Sequence, residues 1–120
     1  MYTITKEFHF SASHQLDGLP ETHPCSRMHG HNYVLKVELK SKDLNQVGFV
    51  KDYRELDEIK QFIDSNLDHR HLNDVFSHNP TAEEMAKTLF NTFKPGHSEL
   101  SAIEISETDK TNCRYEPDFD

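Results

Sequence analysis

The sequence predicts one α+β domain spanning residues 1–120, with two helices on one face of an antiparallel sheet. Two observations carry this reading. Stretches of period-two hydrophobicity stand toward both ends of the chain, and between them lie two stretches of helical period, each opened by a capping signal. The element order is strand, strand, helix, helix, strand, strand. No repeat, low-complexity tract or linker interrupts it.

From Tyr2 to His14, the residues Ile4, Phe8, Phe10, Ala12 and His14 share one face, with Lys6 the exception, and Thr3, Thr5, Glu7, His9, Ser11 and Ser13 share the other. This is a half-buried strand. From His29 a second strand places His29, His31, Tyr33, Leu35, Val37 and Leu39 opposite Asn32, Lys36, Glu38 and Lys40. Gln15 to Met28 between them holds Gly18, Pro20 and Pro24 without a period, and reads as a loop carrying Cys25. Asp52 followed by Glu55 opens a first helix, in which Tyr53, Leu56, Ile59 or Lys60, Ile63 and Leu67 recur at helical spacing. Thr81 followed by Glu84 opens a second, with Met85, Ala86, Leu89, Phe90 and Phe93 as its apolar stripe and Pro95–Gly96 as its stop. Leu100 to Thr108 alternates again, with Ile103, Ile105 and Glu107 on one face. A polar turn at 109–112 then returns the chain through Cys113 and Tyr115.

The formal net charge of −8 excludes a surface devoted to phosphate backbones, so no nucleic-acid partner is expected. No apolar run approaches the ~20 residues that span a bilayer, and the chain opens on a strand pattern where a signal peptide would be apolar. The expectation is a cytoplasmic protein without a membrane partner, whose two cysteines, Cys25 and Cys113, stay reduced. With 34% apolar residues the core is lean, which suits burial against further subunits.

Position sorts the nine histidines. His14, His29 and His31 end otherwise apolar strand faces, and two imidazoles at i and i+2 on a strand project to the same side. Three neutral imidazoles with a fourth position open are the donor set of a catalytic zinc site. His9 falls on the wrong face and reads as a surface residue. His69 and His71, flanked by Asp68 and Asp74, form a rival pair, but no strand aims them together. In that segment either Asp68 polarises His69 for proton transfer or the group is a solvated helix end. Cys25 precedes His29 closely enough to overhang a metal, where a thiol becomes a usable base. Glu107, ending an apolar face, needs a partner: the N–H edge of a pterin or guanine, or a basic residue of the fold.

Together, FHFSASH (Phe8–His14), CSRMHGHNY (Cys25–Tyr33), LDHRHLND (Leu67–Asp74), NPTAE (Asn79–Glu83) and SETDKTNCRY (Ser106–Tyr115) resemble the 6-pyruvoyltetrahydropterin synthase superfamily over essentially the whole chain. The resemblance implies a tunnelling fold, a four-stranded antiparallel sheet with two helices on one side, assembled as trimers paired into a homohexamer with active sites between subunits. It implies Zn2+ on His14, His29 and His31, Cys25 as catalytic thiol with Asp68 and His69 completing the proton-transfer set, and Glu107 anchoring the pterin with Thr81 beside it. Arg27 and His71 are the candidates for holding a triphosphate. Three residues between Cys25 and His29 look like the bacterial 6-carboxytetrahydropterin branch of queuosine and 7-deazaguanine synthesis. That branch converts 7,8-dihydroneopterin triphosphate to 6-carboxytetrahydropterin, acetaldehyde and triphosphate, with no nicotinamide or flavin. The alternatives are a 6-pyruvoyl product or a non-catalytic zinc-binding assembly protein of the same fold.

Overall fold

A computed structural model describes residues 1–118. Strand β1 (Tyr2–His14) and strand β2 (His29–Ser41) pair antiparallel along their whole length, Tyr2 opposite Ser41 and His14 opposite His29. The two-residue period then sets the faces: Phe8, Phe10, Ala12 and His14 are buried with Tyr33, Leu35, Val37 and Leu39, while Glu7 and His9 face out. Lys6 stands on the inner face near the end of the strand. Its ammonium reaches the Tyr53 carbonyl at 3.4 Å and lies over the Phe8 ring.

Beyond α1 (Asp57–Asn66), the short strand β3 (Arg70–His71), α2 (Ala82–Phe93), β4 (Leu100–Ser106) and β5 (Cys113–Tyr115) complete the domain. The sheet order is β3-β1-β2-β4-β5. It therefore has five strands rather than the expected four, and is antiparallel except where β3 runs parallel to β1, Arg70 opposite Ala12 and His71 opposite Ser13. Two residues carry no readable period, so β3 has no signature in the sequence. The chain reaches that edge by turning at His69, whose φ of 60° lies in the left-handed region at a cost of about 1–2 kcal/mol. The turn is held by the His69 amide, which donates to the Ser11 carbonyl at 2.6 Å.

Asp52 caps as expected, accepting from the Arg54 amide at 3.0 Å, but Tyr53–Leu56 form a 3-10 turn and α1 begins only at Asp57. Leu56, Ile59, Ile63 and Leu67 face the core, whereas Tyr53 is exposed. Thr81 caps α2 by accepting from the Glu84 amide at 3.1 Å, and Met85, Ala86, Leu89, Phe90 and Phe93 are buried. These helical faces pack on Leu35, Ile103 and Ile105 in one core. Truncating a fully enclosed member such as Leu35 to alanine costs about 2–5 kcal/mol. Among the described residues no helix is long and apolar enough to cross a membrane.

Candidate metal and substrate site

The register of β1 against β2 gathers three imidazoles at one end of the inner face. His14 pairs with His29, and His31 lies two residues further along the same face. Ring centroids are 4.5 Å apart for His14–His29, 5.1 Å for His14–His31 and 5.0 Å for His29–His31. One nitrogen from each ring lies within 4.8 Å of the others. His14, fully buried, has Nδ1 2.8 Å from the Pro80 carbonyl, which can only accept. Nδ1 therefore carries the proton and Nε2 keeps its lone pair. His29 does the same, donating from Nδ1 to the Arg27 carbonyl at 2.8 Å. Such carbonyl partners orient imidazoles for metal ligation.

Nε2 of His14 and of His31 are buried with no hydrogen-bond partner among the described residues. Glu107, one residue beyond β4, brings Oε2 to 2.9 Å from His31 Nε2 and 3.8 Å from His14 Nε2. The His31 contact is at ion-pair distance, an attraction that operates when the imidazole is protonated, and no hydrogen bond joins the two side chains. The fit to a metal is direct: buried nitrogens without partners are the cost that a cation removes. Burial pulls the His31 pKa down, with Glu107 opposing and the other two imidazoles reinforcing, which favours the neutral form a metal needs. Tyr33 forms the inner wall, stacked on Phe10 with its hydroxyl 3.3 Å from His14 Nδ1. Burial, and then Glu107, push its phenol far above the usual range.

Two hollows flank the cluster. One of about 320 Å³ is lined by Glu107, Glu83, Asn112 and Cys113. An open groove of about 470 Å³ on the other side is lined by His31, Ser11, Asn32, His69 and Arg70.

A profile of the 6-pyruvoyl tetrahydropterin synthase family matches residues 3–118. The chain belongs to this family. It is 33% identical to the 6-carboxy-5,6,7,8-tetrahydropterin synthase of Synechocystis sp., covering 96% of this chain and 93% of that protein. It is 32% identical to the enzyme of the same name from Haemophilus influenzae, covering 97% and 99%. The fold superposes on the 6-pyruvoyl tetrahydropterin synthase of Caenorhabditis elegans with a TM-score of 0.85 at 28% identity, covering 98% and 96% of the two chains. The tunnelling fold of the family is thus the fold of this chain, with five strands among the described residues.

The remaining residues singled out in the sequence are distributed around this cluster. Asp68 accepts from the Ser11 amide at 2.9 Å and lies 3.0 Å from His69 Nδ1. The Ser11 bond first, then His69, holds its carboxyl below the usual range. His69 is largely exposed, and the structure brings it into the groove shared with His31. Cys25 is half-buried in the loop and lines neither hollow. Both cysteines are free. The Thr81 hydroxyl accepts the α2 cap bond. His71 Nδ1 is 2.9 Å from Ser13 Oγ, and both residues line the groove that holds His31 and His69, while Arg27 ends the turn that carries Cys25.

Sequence reasoning missed four supporting residues. Pro80 supplies the carbonyl that fixes the His14 tautomer, and Tyr33 passed as ordinary core. The side-chain amides of Asn73 and Asn79 each make two hydrogen bonds to the loop after β1, to Gln15 and to Asp17 respectively. Side-chain-to-backbone bonds of this kind span about 60 positions and have no periodic signature, although an asparagine before proline is itself a turn signal.

Proposed function

We propose that the chain is a zinc-dependent 6-carboxy-5,6,7,8-tetrahydropterin synthase, a lyase converting 7,8-dihydroneopterin triphosphate to 6-carboxytetrahydropterin, acetaldehyde and triphosphate. The observation that carries this reading is the imidazole trio with two buried, unpartnered Nε2 atoms beside a carboxylate. Relatives bearing that enzyme's name, matched along nearly the whole chain, point to the product. The queuosine or 7-deazaguanine route and a cytoplasmic location belong to the same proposal.

His14, His29 and His31 would hold zinc, whose Lewis acidity lowers the pKa of side-chain hydroxyls on the substrate. Glu107 faces the adjoining hollow and accepts from the amide and amine edge of the pterin through charge-assisted hydrogen bonds, with Thr81 at the start of α2 beside it. Asp68, kept ionised by the Ser11 amide, orients His69, so His69 moves a proton on the groove side of the substrate. Cys25 serves as the proton-transfer thiol on the other side. A homohexamer built as a dimer of trimers is part of the proposal, with one subunit's dyad meeting the next subunit's thiol. The exposure of His69 and the position of Cys25 outside both hollows are compatible with such a shared site.

The likeness to the worm protein favours a second reading, in which the same residues stop at a 6-pyruvoyl product. Product analysis after incubation with dihydroneopterin triphosphate decides. Acetaldehyde with 6-carboxytetrahydropterin supports the first reading, and a pyruvoyl product without acetaldehyde the second. Zinc without turnover would leave a binding and assembly protein.

A further inference from the structure

The loop that carries Cys25 is pinned on both sides. Before it, the His23 amide donates to the Pro20 carbonyl at 2.8 Å. After it, the Arg27 carbonyl receives the Nδ1–H of His29, tying the loop to the imidazole cluster. Between these points Pro24–Ser26 form one 3-10 turn, and both backbone polar groups of Cys25 are engaged. The Cys25 carbonyl accepts from the Leu16 amide at 2.9 Å, and the Cys25 amide donates to Nδ1 of the His23 side chain at 3.0 Å.

Histidine is a rare choice at such a cap, where serine, threonine, aspartate and asparagine lead. Pro24 has no amide hydrogen, so the Cys25 N–H is the first donor the turn offers, and the imidazole meets it. Ser26 Oγ donates to the His23 carbonyl at 2.7 Å, which fixes the cap residue itself. Accepting this bond requires an unprotonated Nδ1, so the ring is neutral when the turn is closed.

We propose that His23 is a positioning residue for the Cys25 thiol: its imidazole fixes the backbone from which the thiol reaches the substrate. This rests on the reading of Cys25 as the proton-transfer thiol. The role differs from that of an imidazolium lowering a thiol pKa by its charge, because a charged His23 could not accept the bond. Asparagine separates the two, since its Oδ1 accepts an amide hydrogen at the same position and carries no charge.

The test compares zinc-loaded wild type with His23→Ala, His23→Asn and Cys25→Ala. It measures kcat, KM, bound zinc and the rate of iodoacetamide alkylation at Cys25, the last resolved by peptide mass spectrometry. Positioning predicts that His23→Ala keeps its zinc and its KM but loses kcat about ten-fold, the population cost of an uncapped turn. Cys25 should then alkylate several-fold faster as the turn opens. His23→Asn should restore both kcat and alkylation to within about two-fold of wild type, on its capping strength. A His23→Ala enzyme at wild-type kcat, with Cys25→Ala inactive, overturns the inference alone. So does a His23→Asn enzyme as impaired as His23→Ala, or loss of zinc from either His23 variant. An active Cys25→Ala overturns the inference together with the reading beneath it.

Discussion

At the end of the sheet far from the histidines, on the face away from the helices, Glu38 is 7% exposed and both its carboxylate oxygens are engaged. Oε1 accepts from Ser101 Oγ at 2.7 Å and from Arg114 at 2.8 Å, and Oε2 accepts from Arg114 at 2.7 Å. The fork of Arg114 holds the Glu38 carboxyl below its usual range, with Ser101 helping, and the Arg114 pKa is raised in return. At the histidine end, His14 is more deeply buried, yet its Nε2 and that of His31 have no partner. A buried polar group left unpaired costs about 1–3 kcal/mol. One sheet thus completes its own hydrogen bonding at the Glu38 cluster, and leaves it incomplete at the imidazoles to which the proposal assigns a ligand. Variants at the two ends should separate accordingly, function at one and stability at the other.

The largest effect belongs to Cys25→Ala, which should retain zinc and thermal stability but lose kcat by ~10²–10⁴, the worth of a positioned proton-transfer group. Stopped assays of acetaldehyde release measure it. Near wild-type turnover would remove the loop from the functional end of the comparison. Glu107→Ala should raise the pterin dissociation constant about ten- to a hundred-fold, because each charge-assisted bond to the ring contributes roughly 1.5–3 kcal/mol. Because the contacts of Glu107 with His31 and His14 count as ion pairs only when an imidazole is protonated, its removal should change the Tm of the metal-free chain little at pH 7.5, read by calorimetry.

Glu38→Ala should do the reverse, costing about 1–3 kcal/mol in denaturant unfolding with kcat at 25 °C unchanged. Bidentate geometry and low exposure of Glu38 lift the pair above an ordinary surface bridge, and the partial exposure of Arg114 keeps it below a fully buried one. The smallest effect is its pH dependence. Glu38 has a folded pKa below its unfolded value, so its contribution is complete above about pH 4.3 and fades as pH falls through the lowered folded pKa. The stability gap between wild type and Glu38→Ala should therefore narrow only below about pH 4. A gap that narrows between pH 8 and 6 would assign the effect to another group.

The same contrast explains what the sequence disclosed. The period of two placed β1 and β2, and it put His14, His29 and His31 on one face because a strand allows no other arrangement. The caps at Asp52 and Thr81 were legible from residue chemistry, although the turn after Asp52 chose 3-10 geometry before α1. What escaped depends on tertiary proximity. The Pro80 carbonyl reaches His14 across 66 positions, Glu107 meets His31 only when β4 docks on β2, and β3 exists because two residues find the β1 edge. The bulge at Glu38/Leu39, which leaves Ser101 free to bond the carboxylate, is likewise a product of pairing.

On the proposed reading, the imidazole cluster lacks internal partners because it holds a metal. Metal analysis of purified wild type and His29→Ala, each dialysed against zinc and then against metal-free buffer at pH 7.5, tests it most directly. The account predicts one zinc per wild-type chain, released on acidification because only neutral imidazoles ligate a metal, and none in the variant. Stoichiometric zinc retained by His29→Ala would contradict it and move the site away from His14, His29 and His31.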